Sequence, residues 1–335
     1  MKRKSAVGLL AGLLAFRIGG AEAQDHSPIL DEVGEEIIAT FSIVARDPVT
    51  EELGVAVQSR AFRAAAIVSY AKSGVGAIAT QASANQSYGP RGLNLLEQGL
   101  SPDEVVDRLT GADEGRDRRQ LAVIDARGRV RAYTGSRTSD WAGHIEGENY
   151  SVQGNILVSE DVVRSMAHAF ETTEGELAER LMAALDAGQA AGGDARGKQS
   201  GGILVVKPIG DSGRTTDRWV DVRVDDHPTP FLEIRRLMEM SVSRNKSRLA
   251  TELADDGRFE EAVAAQRKAI AMRPESDQYV YGLARLHARA GNAAAAVEVL
   301  SQAIVMNGRW RDQAADQGDF DGIRGDAAFR RLIGG

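Results

Sequence analysis

The chain of 335 residues contains no cysteine, and this absence excludes several kinds of chemistry at once. Disulfides, thiolate zinc sites and cysteine nucleophiles are ruled out. Histidine is scarce as well: five residues, at positions 26, 144, 168, 227 and 287, include no pair at the i, i+4 spacing of a helical metal site. The sequence therefore predicts no metal site and no other cofactor.

An excess of positive charge is also lacking. The 41 basic and 48 acidic residues give a net charge of −7, so no large positive field is available to hold a phosphate backbone. We expect no nucleic-acid partner. Hydrophobic and charged fractions of 43% and 27% are ordinary for a globular protein, and the length suffices for two domains with cores of their own.

The apolar run near the N-terminus is too short to span a bilayer comfortably. Residues 2–4 are basic, residues 6–15 are rich in leucine and alanine, and Ala21-Glu22-Ala23 is a small-x-small cleavage signal. This order is typical of a secretory signal peptide. We predict cleavage after Ala23 and export to the periplasm or the extracellular space. An acidic leader, residues 24–39, would follow, and an uncleaved membrane anchor is the alternative.

Residues 40–240 group their predicted strands and helices in blocks. Hairpins are expected at 40–45 with 53–58 and at 121–125 with 130–134, and single strands at 65–70, 75–80, 203–207 and 219–224. Helices are expected near 93–100, after a capping box at 101–104, and at 162–170, 177–188 and 230–240. Because strict βαβα alternation is missing, we predict an α+β domain of sandwiched antiparallel sheets covered by helices.

The C-terminal part, residues 245–335, carries an internal repeat. Leu249, Ala250, Gly257, Ala262, Ala269 and Ile270 recur 34 residues later as Leu283, Ala284, Gly291, Ala296, Ala303 and Ile304. This is the period of tetratricopeptide repeats. Two repeats are too few for a free array, so residues 310–333 are expected to cap them, or the array packs on the first domain. The repeats predict a protein or cell-envelope partner, and a homo-oligomer is left open.

The residues of the first domain contain no strong catalytic motif. The glycine-rich segment 192–200 lacks the residue order of a phosphate-binding loop. Asp225-Asp226-His227-Pro228 has the groups for acid–base work or cation binding, or it caps the following helix. Asn85, Tyr88 and Arg91 follow a predicted strand, where binding loops often lie.

Several short motifs taken together resemble a bacterial and archaeal family known as the domain of unknown function 1028 family. The resemblance covers nearly all of residues 40–240 and implies the fold of N-terminal-nucleophile hydrolases, a four-layer αββα sandwich. The motifs that carry it are Thr40-Phe41-Ser42-Ile43-Val44-Ala45-Arg46-Asp47-Pro48, Gly74-Val75-Gly76-Ala77, Tyr88-Gly89-Pro90-Arg91-Gly92-Leu93, Gln153-Gly154-Asn155, Ala191-Gly192-Gly193-Asp194 and Val224-Asp225-Asp226-His227-Pro228.

The resemblance implies a nucleophile at Thr40, where the first strand begins. In such enzymes the first residue of the mature chain attacks a carbonyl while its own α-amine takes the proton. Cleavage after Ala23 leaves residues 24–39 ahead of Thr40, so activity requires a second cut between Ala39 and Thr40, either self-catalysed or by another protease. Two alternatives stay open: signal peptidase cuts later, or Thr40 is only a strand residue.

The remaining roles are also implied by the resemblance. In proteasome-type threonine hydrolases an acid and a lysine tune the nucleophile, but here Gln58 stands where the acid is expected, and Lys72 could supply the charge. Asn85 or Asn155 would donate to an oxyanion. We expect an exported hydrolase of small amide substrates, or a non-catalytic periplasmic binding or scaffold protein that uses the repeats. The predicted substrate-binding residues are Tyr88, Arg91, Asp194, Ser200 and Asp226.

Overall fold

The structure is a computed structural model that describes residues 30, 34, 37–38, 40–138, 141–209 and 216–334. The predicted signal peptide, residues 1–23, lies outside the described residues, as does most of the predicted leader. In the described ranges no helix has both the length and the apolar content of a transmembrane span.

Two antiparallel sheets form the first domain, and the described chain contributes eleven strands to them. The strands are β1 (Ile37–Ile38), β2 (Thr40–Arg46), β3 (Leu53–Ser59), β4 (Ser69–Lys72), β5 (Gly76–Ser83), β6 (Arg119–Asp125), β7 (Val130–Thr134), β8 (Trp141–Gly147), β9 (Tyr150–Leu157), β10 (Ser200–Val206) and β11 (Arg218–Val224). The six-stranded sheet has the order β11-β10-β3-β2-β9-β8. The five-stranded sheet has the order β1-β5-β6-β7, and β4 also pairs with β5.

Eleven α-helices of the described chain surround and extend these sheets. They are α1 (Ala64–Val68), α2 (Tyr88–Glu97), α3 (Pro102–Gly111), α4 (Asp161–Thr172), α5 (Leu177–Ala190), α6 (Pro230–Asp255), α7 (Phe259–Met272), α8 (Asp277–Arg289), α9 (Ala293–Met306), α10 (Arg309–Asp316) and α11 (Ala327–Gly334). The predicted capping box is present at the start of α3, where Ser101 and Glu104 exchange hydrogen bonds.

Each sheet buries one face against helices and the other against its neighbour. Phe41 and Ile43 of the six-stranded sheet pack on α4, α5 and the first half of α6. Ile78 and Leu121 of the five-stranded sheet pack on α2 and α3. A third apolar cluster, with many alanines, lies between the sheets. The predicted mixed fold with two antiparallel sheets is therefore confirmed.

One predicted strand is wrong, and one hairpin was not predicted. Residues 65–70 were expected to be extended, but Ala64–Val68 forms a helix and only Ser69–Lys72 forms a strand. Arg63 has a φ of 59°, and the Ala64 N–H donates to Ser200 Oγ at 3.0 Å, so the chain turns into a helix at an alanine-rich segment of high helix propensity. The unpredicted hairpin is β8 with β9.

The helical array has no linker to the first domain. The helix predicted for residues 230–240 continues to Asp255, so one helix packs on β11 with its first half and on α7 with its second. Lys246 forms an ion pair with Glu176 on the first domain. At the other end, Trp310, Phe320 and Phe329 are buried against the second repeat, as the predicted cap requires.

Candidate functional site

Thr40 lies where the chain passes from one sheet to the other. Ile38 ends β1 in the five-stranded sheet, and Thr40 begins β2, an inner strand of the six-stranded sheet. Thr40 is completely buried, and its Oγ1 donates a hydrogen bond to the Ile38 carbonyl oxygen at 2.8 Å. This hydroxyl is therefore closed off from solvent.

A row of buried polar residues crosses the six-stranded sheet at Thr40. Thr40 pairs with Ser59 on β3, and Ser59 pairs with Ser200 on β10. On the other side Gly154 pairs with Phe41, so Asn155 is the next residue in register, beside Thr40. Because directly opposed residues of a sheet share a face, Thr40, Ser59 and Ser200 point to the same side.

Hydrogen bonds show that this side faces the second sheet. Ser42, two residues after Thr40, donates to Gln81 Oε1 on β5 at 2.7 Å and accepts from Gln153 Nε2 at 2.6 Å. Gln81 Nε2 in turn donates to Gln120 Oε1 at 2.7 Å. All four side chains are fully buried. The space between the sheets beside Thr40 thus holds a polar network instead of an apolar core.

Asn155 joins this network and keeps one atom free. Its Nδ2 donates to Gln120 Oε1 at 3.0 Å, while its buried Oδ1 has no hydrogen-bond partner among the described residues. The next residue, Ile156, has a φ of 52°, which is rare for a β-branched residue. Ala82, opposite Ile38 on β5, has a φ of 65°. Backbone strain of this kind concentrates at functional sites.

Asp194 closes the same end of the sheet. Its buried Oδ2 accepts from the Arg60 N–H at 3.1 Å and from the Arg196 guanidinium at 2.8 Å. Asp194 also bridges to Leu157 at the end of β9. The loop therefore ties β3 to β9 on either side of Thr40, and the carboxylate is used to position backbone.

Ser200 and Asp226 form hydrogen bonds that hold neighbouring loops. Ser200 Oγ donates to the Ala61 carbonyl oxygen at 2.6 Å and accepts from the Ala64 N–H at 3.0 Å. Asp226 is exposed and accepts from Gln199 Nε2 at 3.2 Å. Both residues lie at the Thr40 end of the six-stranded sheet, where they hold the loops around the row.

Asn85 and Tyr88 converge on Asp113 at the end of the five-stranded sheet. Asn85 Nδ2 and Tyr88 Oη both donate to Asp113 Oδ2, at 3.1 and 2.7 Å, and Arg119 Nε donates to the same oxygen at 3.1 Å. Burial alone would raise the pKa of Asp113, but these hydrogen bonds outweigh it and lower the pKa below its usual range. The donors are thus committed to a carboxylate. Arg91 is exposed on α2.

The structure does not bring Lys72 to Thr40. Lys72 pairs with Gly76 at the start of β5 and forms an ion pair with Glu97 at 2.5 Å. Ser83, which pairs with Ile37 beside the site, is seven residues further along β5, a span of about 23 Å. The predicted role of Lys72 beside the nucleophile is therefore incompatible with its position.

Gln58 lies on β3, one position away from the residue that pairs with Thr40, and its side chain points to the opposite face of the sheet. It pairs with Phe41, whose ring points toward the helices, and not with Thr40. The residue opposite Thr40 is Ser59, which was not predicted as a site residue. Gln81 and Gln120 were not predicted either, and Ser42 and Gln153 stand in the family motifs but were assigned no role. A usable signal was present, since polar residues two apart in otherwise apolar strands indicate a polar face.

A second concave site lies on the helical array. It is lined by α6, α8 and α10, and Tyr281 stacks on Trp310 with the ring centroids 4.1 Å apart. Arg285 forms an ion pair with Asp319 at 2.5 Å, and Arg289 forms one with Asp255 at 2.8 Å. The groove offers aromatic, amide and guanidinium groups, which suit a peptide more than a small apolar ligand.

In comparisons with known proteins, the two domains match two different family models. Residues 40–234 match the model of a family described as "Family of unknown function (DUF1028)", and residues 253–309 match a tetratricopeptide repeat model. The crystal structure of a DUF1028 protein from Silicibacter pomeroyi is 32% identical, and the match covers 61% of this chain and 86% of that one with a TM-score of 0.56. No curated protein matches. The first match contains Thr40 and the polar residues beside it, whereas Ile38 lies just ahead of the matched range.

Proposed function

Since this chain belongs to the DUF1028 family, whose function is unknown, its activity has to be argued from its own residues, and we propose an exported amide-bond hydrolase with Thr40 as nucleophile. The observation that carries the proposal is the position of Thr40. It begins an inner strand, between two facing sheets, with its hydroxyl on the carbonyl oxygen of Ile38 and a buried polar row beside it. The N-terminal-nucleophile hydrolase fold is part of this proposal.

The proposed mechanism needs a cut between Ala39 and Thr40. The cut places an α-amine and a hydroxyl on one residue, and an α-amine has a pKa of about 8, close to ambient pH. The amine takes the hydroxyl proton while Thr40 Oγ1 adds to the substrate carbonyl carbon. The protonated amine then gives that proton to the leaving nitrogen as the amide bond breaks. Water hydrolyses the resulting ester, which releases the acid and restores the threonine.

Asn155 is the residue best placed to orient the new amine. Its Nδ2 is already bonded to Gln120, whereas its buried Oδ1 has no partner among the described residues. A buried acceptor without a donor costs about 1–3 kcal/mol, and the α-amine of a cut chain would supply the missing N–H on the adjacent strand. Asn155 is thus proposed as a positioning residue, in place of the oxyanion donor predicted from the sequence.

The test begins with the N-terminal residue of protein from the exported fraction, by intact mass and terminal sequencing. We expect a start at Thr40, with activity on a panel of amides that is lost in Thr40→Ala and partly kept in Thr40→Ser. If Thr40→Ala keeps its leader, the cut is self-catalysed; if it is cut at the same bond, another protease acts. A stable start at Gln24 without amide hydrolysis contradicts the proposal.

A second candidate function is protein recruitment by the helical array. It is favoured by the groove of α6, α8 and α10 and by the continuous α6, which holds that groove against the first domain. Tetratricopeptide-type repeats generally bind other proteins. Affinity capture from an envelope extract, with Trp310→Ala as the variant, tests it. A partner lost in Trp310→Ala, with amide hydrolysis absent, would favour a scaffold role alone.

A further inference from the structure

Residues 37–38 of the predicted leader form the short strand β1, which pairs with β5 of the first domain. Ile38 is 2% exposed and belongs to the apolar cluster between the sheets, whereas Leu30 is 55% exposed. Ile37 and Ile38 pair antiparallel with Ser83 and Ala82 of β5. The leader thus combines a short backbone ladder with one deeply inserted aliphatic side chain.

No other strand of the described chain pairs with this part of β5 on the side that β1 occupies, although the Arg119 guanidinium donates to the Ser83 carbonyl oxygen. On the same side of the strand, β4 pairs only with its first half, from Gly76 to Ala79. Removal of β1 would remove the strand pairing of Ile37 and Ile38 with this end of β5, and it would empty the space that Ile38 fills. Unpaired strand edges bind further strands readily, and an empty apolar socket favours an aliphatic side chain.

We infer that this edge is the substrate site of the cut chain and that its ligand is an extended peptide segment. The segment adds antiparallel to the end of β5 and places an aliphatic side chain in the socket of Ile38, as main-chain pairing with a side-chain pocket does in other peptide sites. This inference rests on the proposed function and narrows its amide substrate to a peptide.

The leader also sets the position of the aliphatic residue. The Ile38 carbonyl oxygen lies 2.8 Å from Thr40 Oγ1, and in the sequence the bond to be cut follows one residue later, between Ala39 and Thr40. A substrate that follows the same path carries its aliphatic side chain on the second residue before the amide bond that is cut. In the uncut chain the site is closed, because Thr40 is fully buried and its hydroxyl is bonded to the leader at Ile38.

The experiment uses the full chain with Thr40→Ala, and intact mass confirms that the leader is still attached. The probe is a fluorescein-labelled peptide with the sequence of residues 33–39, and its binding is followed by fluorescence anisotropy. Ile38→Asp expels the chain's own leader from the socket, and Ile37→Asp is the matched control because Ile37 is only half-buried. We expect the peptide to bind the Ile38→Asp chain at least about tenfold more tightly than either other chain.

Two results would overturn the inference: equal binding to all three chains, or no binding to any. A second measurement applies the substitutions to the peptide itself, with the Ile38→Asp chain as receptor. Aspartate at the peptide position of Ile38 should weaken binding by about tenfold or more, and at that of Ile37 by less than about threefold. Equal losses also overturn it. Failure here with a Thr40 start and Thr40-dependent hydrolysis would leave the proposed function intact.

Discussion

The two faces of β2 differ sharply in polarity. Phe41, Ile43 and Ala45 point toward the helices and belong to a large cluster of buried apolar side chains. Thr40 and Ser42 point toward the other sheet, where both hydroxyls form hydrogen bonds. The odd-numbered residues of β2 therefore pack in the apolar core, whereas Thr40 and Ser42, at even-numbered positions, place hydroxyl groups between the sheets.

Alanine is frequent in the apolar cluster between the sheets. Seven of its sixteen described buried residues are alanines, among them Ala77, Ala79 and Ala122. Alanine side chains bury less apolar surface area than larger side chains do. On the same two strands, β5 and β6, the long side chains of Gln81 and Gln120 form a hydrogen bond with each other. The hydrogen bonds of such a network hold its members in one arrangement, and the loss of one member leaves several buried groups unpaired.

The largest effect is expected on the helix-facing side, from Phe41→Ala. The ring is completely buried and stacks on Phe231 at 6.4 Å between centroids. Its removal should lower the free energy of unfolding by about 3–5 kcal/mol, because apolar contact is lost and a cavity remains. Urea denaturation measures this, with the exposed Val49→Ala as control. A loss below about 1 kcal/mol would contradict the claim that this face carries the stability.

Gln120→Leu makes the corresponding change on the sheet-facing side. Gln120 accepts from both Gln81 and Asn155, and its Nε2 lies 2.9 Å from the Gly154 carbonyl oxygen. Leucine would leave these groups buried without partners, so we expect a loss of about 2–3 kcal/mol. The free energy of unfolding from urea titrations decides this, and a neutral result would mean that water replaces the amide.

The same contrast explains which elements could be predicted from the sequence. The first hairpin, the capping box of α3 and the 34-residue repeat depend on local periodicity, and all three are present. The hairpin of β8 and β9 was missed because Gln153 and Asn155 interrupt the apolar pattern of β9. Their hydrogen-bond partners lie on strands that are distant in sequence, so a local sequence pattern cannot reveal them.

The site was predictable to a similar extent. The family motifs named Thr40, Asn155 and Asp194 as candidate site residues without placing them together, and the structure shows that all three lie at one end of the six-stranded sheet. The distance of Lys72 from Thr40 depends on the pairing of β4 with β5, which no local signal sets. The hairpin register pairs Gln58 with Phe41 and therefore turns its side chain away from Thr40. Because side chains alternate between the two faces of a strand, this orientation could have been predicted from the register.

A smaller effect is expected from Asp113→Asn, at the far side of the second sheet. Hydrogen bonds outweigh burial and lower the pKa of Asp113, so the stability it contributes is present above the unfolded pKa of about 3.9 and is lost as the pH falls below it. We expect a loss of about 1–2 kcal/mol at pH 7 that shrinks toward acid pH. Thermal unfolding from pH 7 to pH 3 measures it, and a difference that grows in acid would contradict this sign.

The smallest effect is expected from Gln58→Leu, and it is the sharpest test of the two faces. Gln58 is fully buried on the helix-facing side, and neither its Oε1 nor its Nε2 has a hydrogen-bond partner among the described residues. Leucine removes two unpaired polar atoms at similar volume, so the free energy of unfolding should stay unchanged or rise by up to about 1 kcal/mol. Gln120→Leu is the matched control, since the same chemical change there breaks satisfied bonds. A loss of more than about 1 kcal/mol in Gln58→Leu would mean that this amide binds ordered water, and the helix-facing side would then hold a polar site of its own.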